Sequence, residues 1–424
     1  MQNLKLILNV IPTYLFYLLP IFLITGPLFS DLTIIIISLL FLIQLSIKKN
    51  FKIITNKFFI IFISFCVLIT INSLFSDDIR LSTLSSSFYF RFGLFALAVY
   101  YLLEKDYSIL FVLKNVFLFI IIILFFDTLV QFFYGKNILG FENNNTSNFR
   151  ITSFFGNDEV LGSYVARFFP FIMSLIFFHK YKKKKEINKF FLSPFIIIIF
   201  VTVFLSGERT AFFLLLISSF LIFLSCSDIK KHFVISFFVS VIIIFLISSF
   251  NPSVKKRMFD TVITQLNLLN PSERVVIFSK TYEGHYKIAL NMFKEKPILG
   301  HGVKIFRVYC AKPENFVSDV ACTTHPHNIY MQFLSETGII GFLYLISFFV
   351  FITYVVTRNI FSRILKNNKL LTDHEACLLI FYFVTLFPFA PSGNFFNNWL
   401  SIIYYFPAGF LIYLNKNTLI KNEL

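Results

Sequence analysis

Apolar runs about as long as a bilayer is thick recur from one end of the chain to the other, separated by short polar segments. A hydrocarbon core is crossed by about 20 residues of helix, because only backbone paired within its own helix tolerates that medium. The pattern therefore predicts twelve transmembrane helices, at residues 6–25, 31–47, 58–75, 88–103, 115–134, 160–178, 191–206, 209–225, 232–250, 332–357, 374–390 and 398–414. The expected fold class is an all-α polytopic membrane protein. The seventh and eighth runs are short and meet at Ser206-Gly207-Glu208-Arg209, and the twelfth carries Pro407, where a kink is expected. One long polar segment, 251–331, interrupts the series, so the chain divides into helices 1–9 (1–250), a large loop (251–331) and helices 10–12 (332–424). Within the loop, Tyr282, Tyr286, Ala289, Leu290 and Phe293 recur at helical spacing, with Lys287, Lys294 and Lys296 on other faces. Pro297 and Gly300 end that run. An amphipathic helical cap over the membrane part is expected, not an independent domain.

Composition strengthens this picture. Of 424 residues, 57% are hydrophobic and only 14% charged, where a soluble domain carries about 25% charged residues. That excludes a cytosolic enzyme, a disordered protein and a secreted disulfide scaffold. The first apolar run has no small-residue cleavage site and leads into a second, so no cleavable signal peptide is expected. The net charge of +16 lies largely in clusters between apolar runs, such as Lys48, Lys49, Lys52 and Lys57. Basic loops at helix ends are what insertion demands, and no nucleic-acid partner is expected.

Alternate loops test the orientation. With the N-terminus inside, the cytoplasmic set holds 21 Lys and Arg, from Lys5 to Lys421, against four in the short outer loops: Arg80, Lys136, Arg150 and Arg209. Arg91 and Arg167 stand at outer helix ends. The long loop exceeds the length to which the rule applies. Both termini are thus expected in the cytoplasm, and the loop 251–331 outside.

Charge at membrane depth is costly, so ionisable residues at outer helix ends are candidates for function. Arg209 begins a helix after a polar break, where a guanidinium and free backbone N–H groups both suit a phosphate oxygen. Neutralisation by Glu208, or snorkelling to the interface, is the structural alternative. Arg150 and Arg167 flank a second break of small and polar residues. The segment from Thr324 to Gly341 places His325, Pro326, His327 and Asn328 just before the tenth span, and histidine is the usual general base near neutral pH. Glu336 follows nine residues after His327, and Gly338 and Gly341 permit close packing. Cys310 and Cys322, twelve residues apart in the outer loop, suggest a disulfide in an oxidising compartment. Zinc held with His325 and His327 is the competing idea, although Cys-x11-Cys is not a familiar zinc spacing.

Taken together these motifs resemble the O-antigen ligase and polymerase superfamily of envelope glycosyltransferases. Its pattern runs from an aromatic-x-x-Ala helix (here Tyr286 and Ala289) through Pro-x-x-Gly-x-Gly-x-x-x-Phe (Pro297, Gly300, Gly302, Phe306) to His-Asn followed by Glu-x-Gly-x-x-Gly (His327, Asn328, Glu336, Gly338, Gly341). The Arg150 segment resembles the family's Arg-x-Thr-Gly-x-Phe-x-Asn, with Ser153 in place of Gly, and Ser206–Ala211 its Ser-x-x-Arg-Thr-Ala. The resemblance spans roughly 150–345 and implies a twelve-helix, GT-C-like fold. It implies transfer of a glycan from undecaprenyl diphosphate at the periplasmic face of the bacterial inner membrane, with inversion and without metal or cofactor. A ligase would use lipid A–core as acceptor, a polymerase another lipid-linked repeat unit, and membrane lipids surround both. His327 and Arg209 would then be catalytic, Arg150 and Arg274 would bind diphosphate, and His325 and Glu336 would fix the imidazole. Where some members carry an Arg four residues before the loop aromatic, this chain has Tyr282, and Arg274 and His285 are the nearest substitutes. A twelve-span transporter would instead need charges deep within spans and a pseudo-repeat between halves, and neither is visible.

Overall fold

The computed structural model describes residues 2–142, 149–184, 186–187, 189–265 and 278–417. Arg274, an expected site residue, lies outside them, as do Lys185 and Lys421 of the charge count. Among the described residues all regular structure is helical apart from one isolated bridge, Lys136–Glu142. Helices α1 (Gln2–Thr25) and α2 (Pro27–Lys48) are separated by Gly26 and restart on Pro27, whose fixed φ suits a first helical position. Asn56 caps α3 (Lys57–Ser73) and Asp78 caps α4 (Ile79–Ser86), each by accepting a free N–H of the first turn. Then come α5 (Phe90–Lys105), α6 (Ile109–Tyr134), α7 (Leu161–Lys183), α8 (Lys189–Leu205), α9 (Arg209–Ser225) and α10 (Lys230–Phe250). The segment 251–331 holds α11 (Pro252–Lys255) and α12 (Thr261–Gln265), joined by a π turn at Lys256–Asp260, and then α13 (Lys280–Glu295) and α14 (Phe306–Cys310). The chain closes with α15 (Ile329–Lys366), α16 (Asp373–Thr385), α17 (Asn398–Tyr405) and α18 (Ala408–Asn417), the last two divided at Pro407.

Every predicted apolar run overlaps a helix, although the run 374–390 leaves helix after Thr385. Seven helical segments among the described residues are long and apolar enough to cross a membrane, and Lys57–Ser73, Phe190–Leu205 and Arg209–Ser225 are shorter apolar helices. The chain is thus a polytopic helical membrane protein.

Helix α7 is central, enclosed by α6, α8, α9 and α16. It runs antiparallel to α16: Phe178 meets His374 at one end, Phe171 meets Phe381 at mid-helix, and Ser174 Oγ donates to the His374 carbonyl at 2.7 Å. At the end of the α9–α16 pair away from Arg209, the buried thiols of Cys226 and Cys377 lie 3.8 Å apart.

Two expectations change, one on α13 and one on α15. The buried face of α13 keeps Tyr286 and Ala289 as expected and adds His285, Ile288 and Met292, whereas Leu290 is exposed. Ile288, Ala289 and Met292 pack on Phe306, Tyr309 and Ala321 as a small apolar cluster of their own, so the phase of this helix is set by the loop that returns over it. Gly338, expected as a helix-packing glycine, instead breaks α15 with φ 62° and ψ −165°, a conformation essentially confined to glycine. The chain from Pro297 to Gly302 pairs with this break: Ile339 N donates to Pro297 O (2.8 Å), Gly302 N to Glu336 O (2.9 Å) and His301 N to Ser335 O (3.1 Å). A Cβ on Gly338 would stand 2.3 Å from the Ile298 carbonyl oxygen.

Candidate active site

The break between α8 and α9 is built for close backbone approach. Ser206 Oγ turns back to the Val203 carbonyl at 2.7 Å, and Gly207 takes φ 71°. A Cβ on Gly207 would stand 2.5 Å from the Phe149 carbonyl oxygen, so only glycine lets the loop carrying Arg150 lie against it. Ile151 N reaches Ser206 O across that contact at 3.4 Å. From the other side the same loop is held by α6, where the buried Asp127 carboxylate accepts from Ile138 N and Ser153 Oγ, and Gln131 Oε1 accepts from Ser153 N.

Glu208 does not serve as the counter-ion of Arg209. Its buried carboxylate accepts from Gly162 N at 2.6 Å and Ser163 N at 3.1 Å, capping the first turn of α7 where free N–H groups and the helix dipole favour a negative charge. Arg209 instead donates from Nη1 to Gln265 Oε1 at 2.9 Å. Arg150 pairs with Glu159 at 3.2 Å. A third guanidinium, which the sequence pattern did not single out, completes the group: Arg257 donates from Nε to the Gly207 carbonyl at 3.2 Å. Burial, and then the adjacent cations Arg150 and Arg209, push Arg257 down to about 10. Three cations held this close favour an anion among them.

The histidines form the neighbouring layer. Asn328 caps α15, its Oδ1 accepting from Tyr330 N and Met331 N, while its Nδ2 donates to the Pro388 carbonyl at 2.7 Å. His327 precedes it with φ 54°, uncommon for a non-glycine residue, and Ser392 N fixes its carbonyl at 2.9 Å. This bend turns the imidazole away from the helix and toward α13, with ring centroids 4.2 Å from His325, 5.2 Å from His285 and 6.0 Å from Tyr282. His285 Nδ1 is 2.7 Å from the Ala321 carbonyl oxygen, and His325 Nδ1 is 2.9 Å from Thr324 Oγ1. The turn carrying Ala321 is fastened by the Cys310–Cys322 disulfide, with Cα atoms 5.3 Å apart. Both sulfurs are thereby taken, and neither is available as a thiolate ligand to a metal. Burial, then the charge of His327, holds His325 at about 3, and burial, then His285, holds His327 at about 4. At neutral pH both rings are uncharged and can accept a proton.

Tyr282 joins the two layers. Its ring lies against His327, and its phenol is within electrostatic reach of both Arg209 and Arg257. The place where an arginine was sought on α13 is thus filled by a tyrosine, and the cation comes from the π turn after α11. Glu336 has a different role from the one expected of it. Its buried carboxylate accepts from Gln332 Nε2 at 2.9 Å and Phe306 N at 3.3 Å, so it braces the glycine loop rather than the His327 ring. His301, in that loop, is buried with Nε2 2.9 Å from the Met292 carbonyl oxygen. As a whole, the arrangement offers guanidinium groups for an anionic leaving group beside a neutral imidazole for an incoming hydroxyl.

Residues 194–346 match the family model described as O-antigen ligase. The matched region holds Arg209, Arg257, Tyr282 and the histidines, while Arg150 and α7 lie before it. No curated protein matches the chain.

Proposed function

We propose that this protein, whose residues 194–346 match the O-antigen ligase family model, is a membrane glycosyltransferase of that superfamily that moves a glycan from undecaprenyl diphosphate to lipid A–core. The observation that carries the reading is the placement of Tyr282, whose ring lies 6.0 Å from that of His327 and which is within electrostatic reach of Arg209 and Arg257, so that cations for a diphosphate stand near an uncharged base. The acceptor hydroxyl oxygen attacks the anomeric carbon and the bond from that carbon to the diphosphate oxygen breaks, with inversion. The hydroxyl proton passes to His327. Arg209, Arg150 and Arg257 stabilise the charge that develops on the departing lipid diphosphate, work that preorganised cations can do without a metal ion. His325 and His285 shape the His327 pocket.

The twelve-span topology with cytoplasmic termini, the division at 250 and 331, the bacterial inner membrane and a periplasmic site belong to the same proposal. The bias of Lys and Arg between alternate loops supports them. The test is the envelope polysaccharide of a deletion strain, run on a gel. Rough lipid A–core with accumulated long lipid-linked polymer is expected, whereas a core bearing a single repeat unit would make the protein a polymerase. Complementation with Arg209→Ala or His327→Ala should restore membrane-inserted protein but not glycan transfer. Wild-type transfer by both variants would remove the mechanism. Transfer should also persist in EDTA, and a loss reversed by zinc would redirect it to a metal.

A further inference from the structure

Arg167 lies in α7 and is only 5% exposed, yet its Nε has no hydrogen-bond partner among the described residues. Nor does it enter any of the ion pairs among them. Two more buried polar atoms have no partner among the described residues, Tyr404 Oη and Thr385 Oγ1. Tyr404 is within electrostatic reach of Arg167. Thr385 is placed by helix register: α7 and α16 run antiparallel with Phe171 against Phe381, and one turn further along both helices brings Arg167 level with Thr385. A guanidinium Nε, a phenol and a hydroxyl left without partners inside a membrane protein are costly, and such a group marks function.

Their position gives the ligand. Ser163, one turn above Arg167 on the same face of α7, donates its N–H to Glu208, the residue before Arg209. Phe213, one turn below Arg209 on α9, rings against Phe387, two residues after Thr385. The group thus sits about one helical turn beneath the arginine cluster, toward the membrane. All three side chains can donate to an oxyanion, and a guanidinium fork matches phosphate geometry. A polyprenyl diphosphate has its tail in the bilayer, so its two phosphates lie at different depths.

We propose that Arg167, Thr385 and Tyr404 form a membrane-level subsite for a lipid phosphate oxygen, and that they hold the lipid-proximal phosphate of the donor while Arg209, Arg150 and Arg257 hold the phosphate next to the sugar. This rests on the transferase reading and extends it to a division of labour between two cationic layers.

Native mass spectrometry of the full-length protein, with undecaprenyl monophosphate, undecaprenyl diphosphate and phosphatidylglycerol as separate probes, tests the division. Arg167→Leu should weaken retention of the monophosphate and the diphosphate alike, by about tenfold, and leave phosphatidylglycerol unchanged. Arg209→Ala should weaken the diphosphate alone. Tyr404→Phe, which keeps the shape of the site, should show a smaller loss of the same kind, and Arg167→Lys should recover part of the binding. Unchanged monophosphate retention in Arg167→Leu overturns the subsite. Should that variant fail to insert, unchanged retention in both Arg167→Lys and Tyr404→Phe overturns it equally. Loss of phosphatidylglycerol in place of the polyprenyl lipids would assign the group to a phospholipid headgroup and overturn the donor assignment. Failure of the broader reading looks different: polyprenyl lipids bound by the wild type in this pattern, with glycan transfer intact in His327→Ala, would leave the subsite standing and remove the base.

Discussion

Burial and the neighbouring His285 hold the His327 imidazole at about 4, so at neutral pH it presents a lone pair and not a proton. A general base of this kind is disabled only when protonated. The acid limb of kcat/KM should therefore fall near pH 4, well below the 6.5 of an ordinary histidine. A pH–rate profile on purified enzyme checks this, and a midpoint near 6.5 would show that burial does not govern the base. Stability follows the same linkage. Between about 4 and 6.5 the unfolded chain binds more protons at this position than the folded one, so stability is lost as the pH falls through that window. Arg209, Arg150 and His327 could be named as candidates from the sequence through the motifs that resemble a known family, since a cation or imidazole at a helix end is by itself no stronger than its structural alternative. Arg257 could not, since in Lys255-Lys256-Arg257 it resembles the basic run that flanks any membrane span. Its role depends on the Gly207 carbonyl, fifty residues earlier in the chain.

Among the elements, the returning loop is tied down most tightly. The Pro297–Gly302 strand of chain and the α15 break share backbone hydrogen bonds, and Gly338 is the residue that permits both. Gly338→Ala would combine a glycine-only backbone with a steric overlap on Ile298, so a loss of about 3 kcal/mol or more is expected, read as reduced folded yield and a lower melting temperature. The disulfide closes a twelve-residue separation. Cys310→Ser should cost about 3 kcal/mol and free the Ala321 turn that contacts His285, lowering activity as well as stability. The sequence foretold α13 and the burial of Tyr286 and Ala289, but misplaced one edge of its face. Leu290 reads as core by spacing, yet the loop from 306 to 321 packs on the Ile288–Met292 side. Periodicity gives a stripe, and only tertiary contact selects which edge of the stripe is covered. Glu336 was misread for a similar reason: its distance along one helix from His327 said nothing of the break two residues on, or of the backbone N–H groups that the break brings to it.

For the molecule as a whole, helix positions followed from hydrophobicity alone, because an unpaired backbone is intolerable in hydrocarbon. What hydrophobicity could not supply was depth. α8 and α9 are short apolar helices joined by a polar turn, and their brevity leaves Arg209 and the turn exposed to the α7 and loop layers. Reporter fusions after residues 50, 185 and 367 should read as cytoplasmic, and fusions after 140 and 315 as external. A reversed pattern at any one site would remove a span from the proposed twelve.

The oxidised Cys310–Cys322 bridge also bears on sidedness, by chemistry that owes nothing to counting lysines. Such a bond persists where thiols are oxidised and is rare where glutathione keeps them reduced. Cys226 and Cys377, at the end of α9 away from Arg209, are close but unlinked. If the loop lies outside the membrane as proposed, the Ala321 turn that contacts His285 is fastened only once the loop has crossed and its thiols are oxidised.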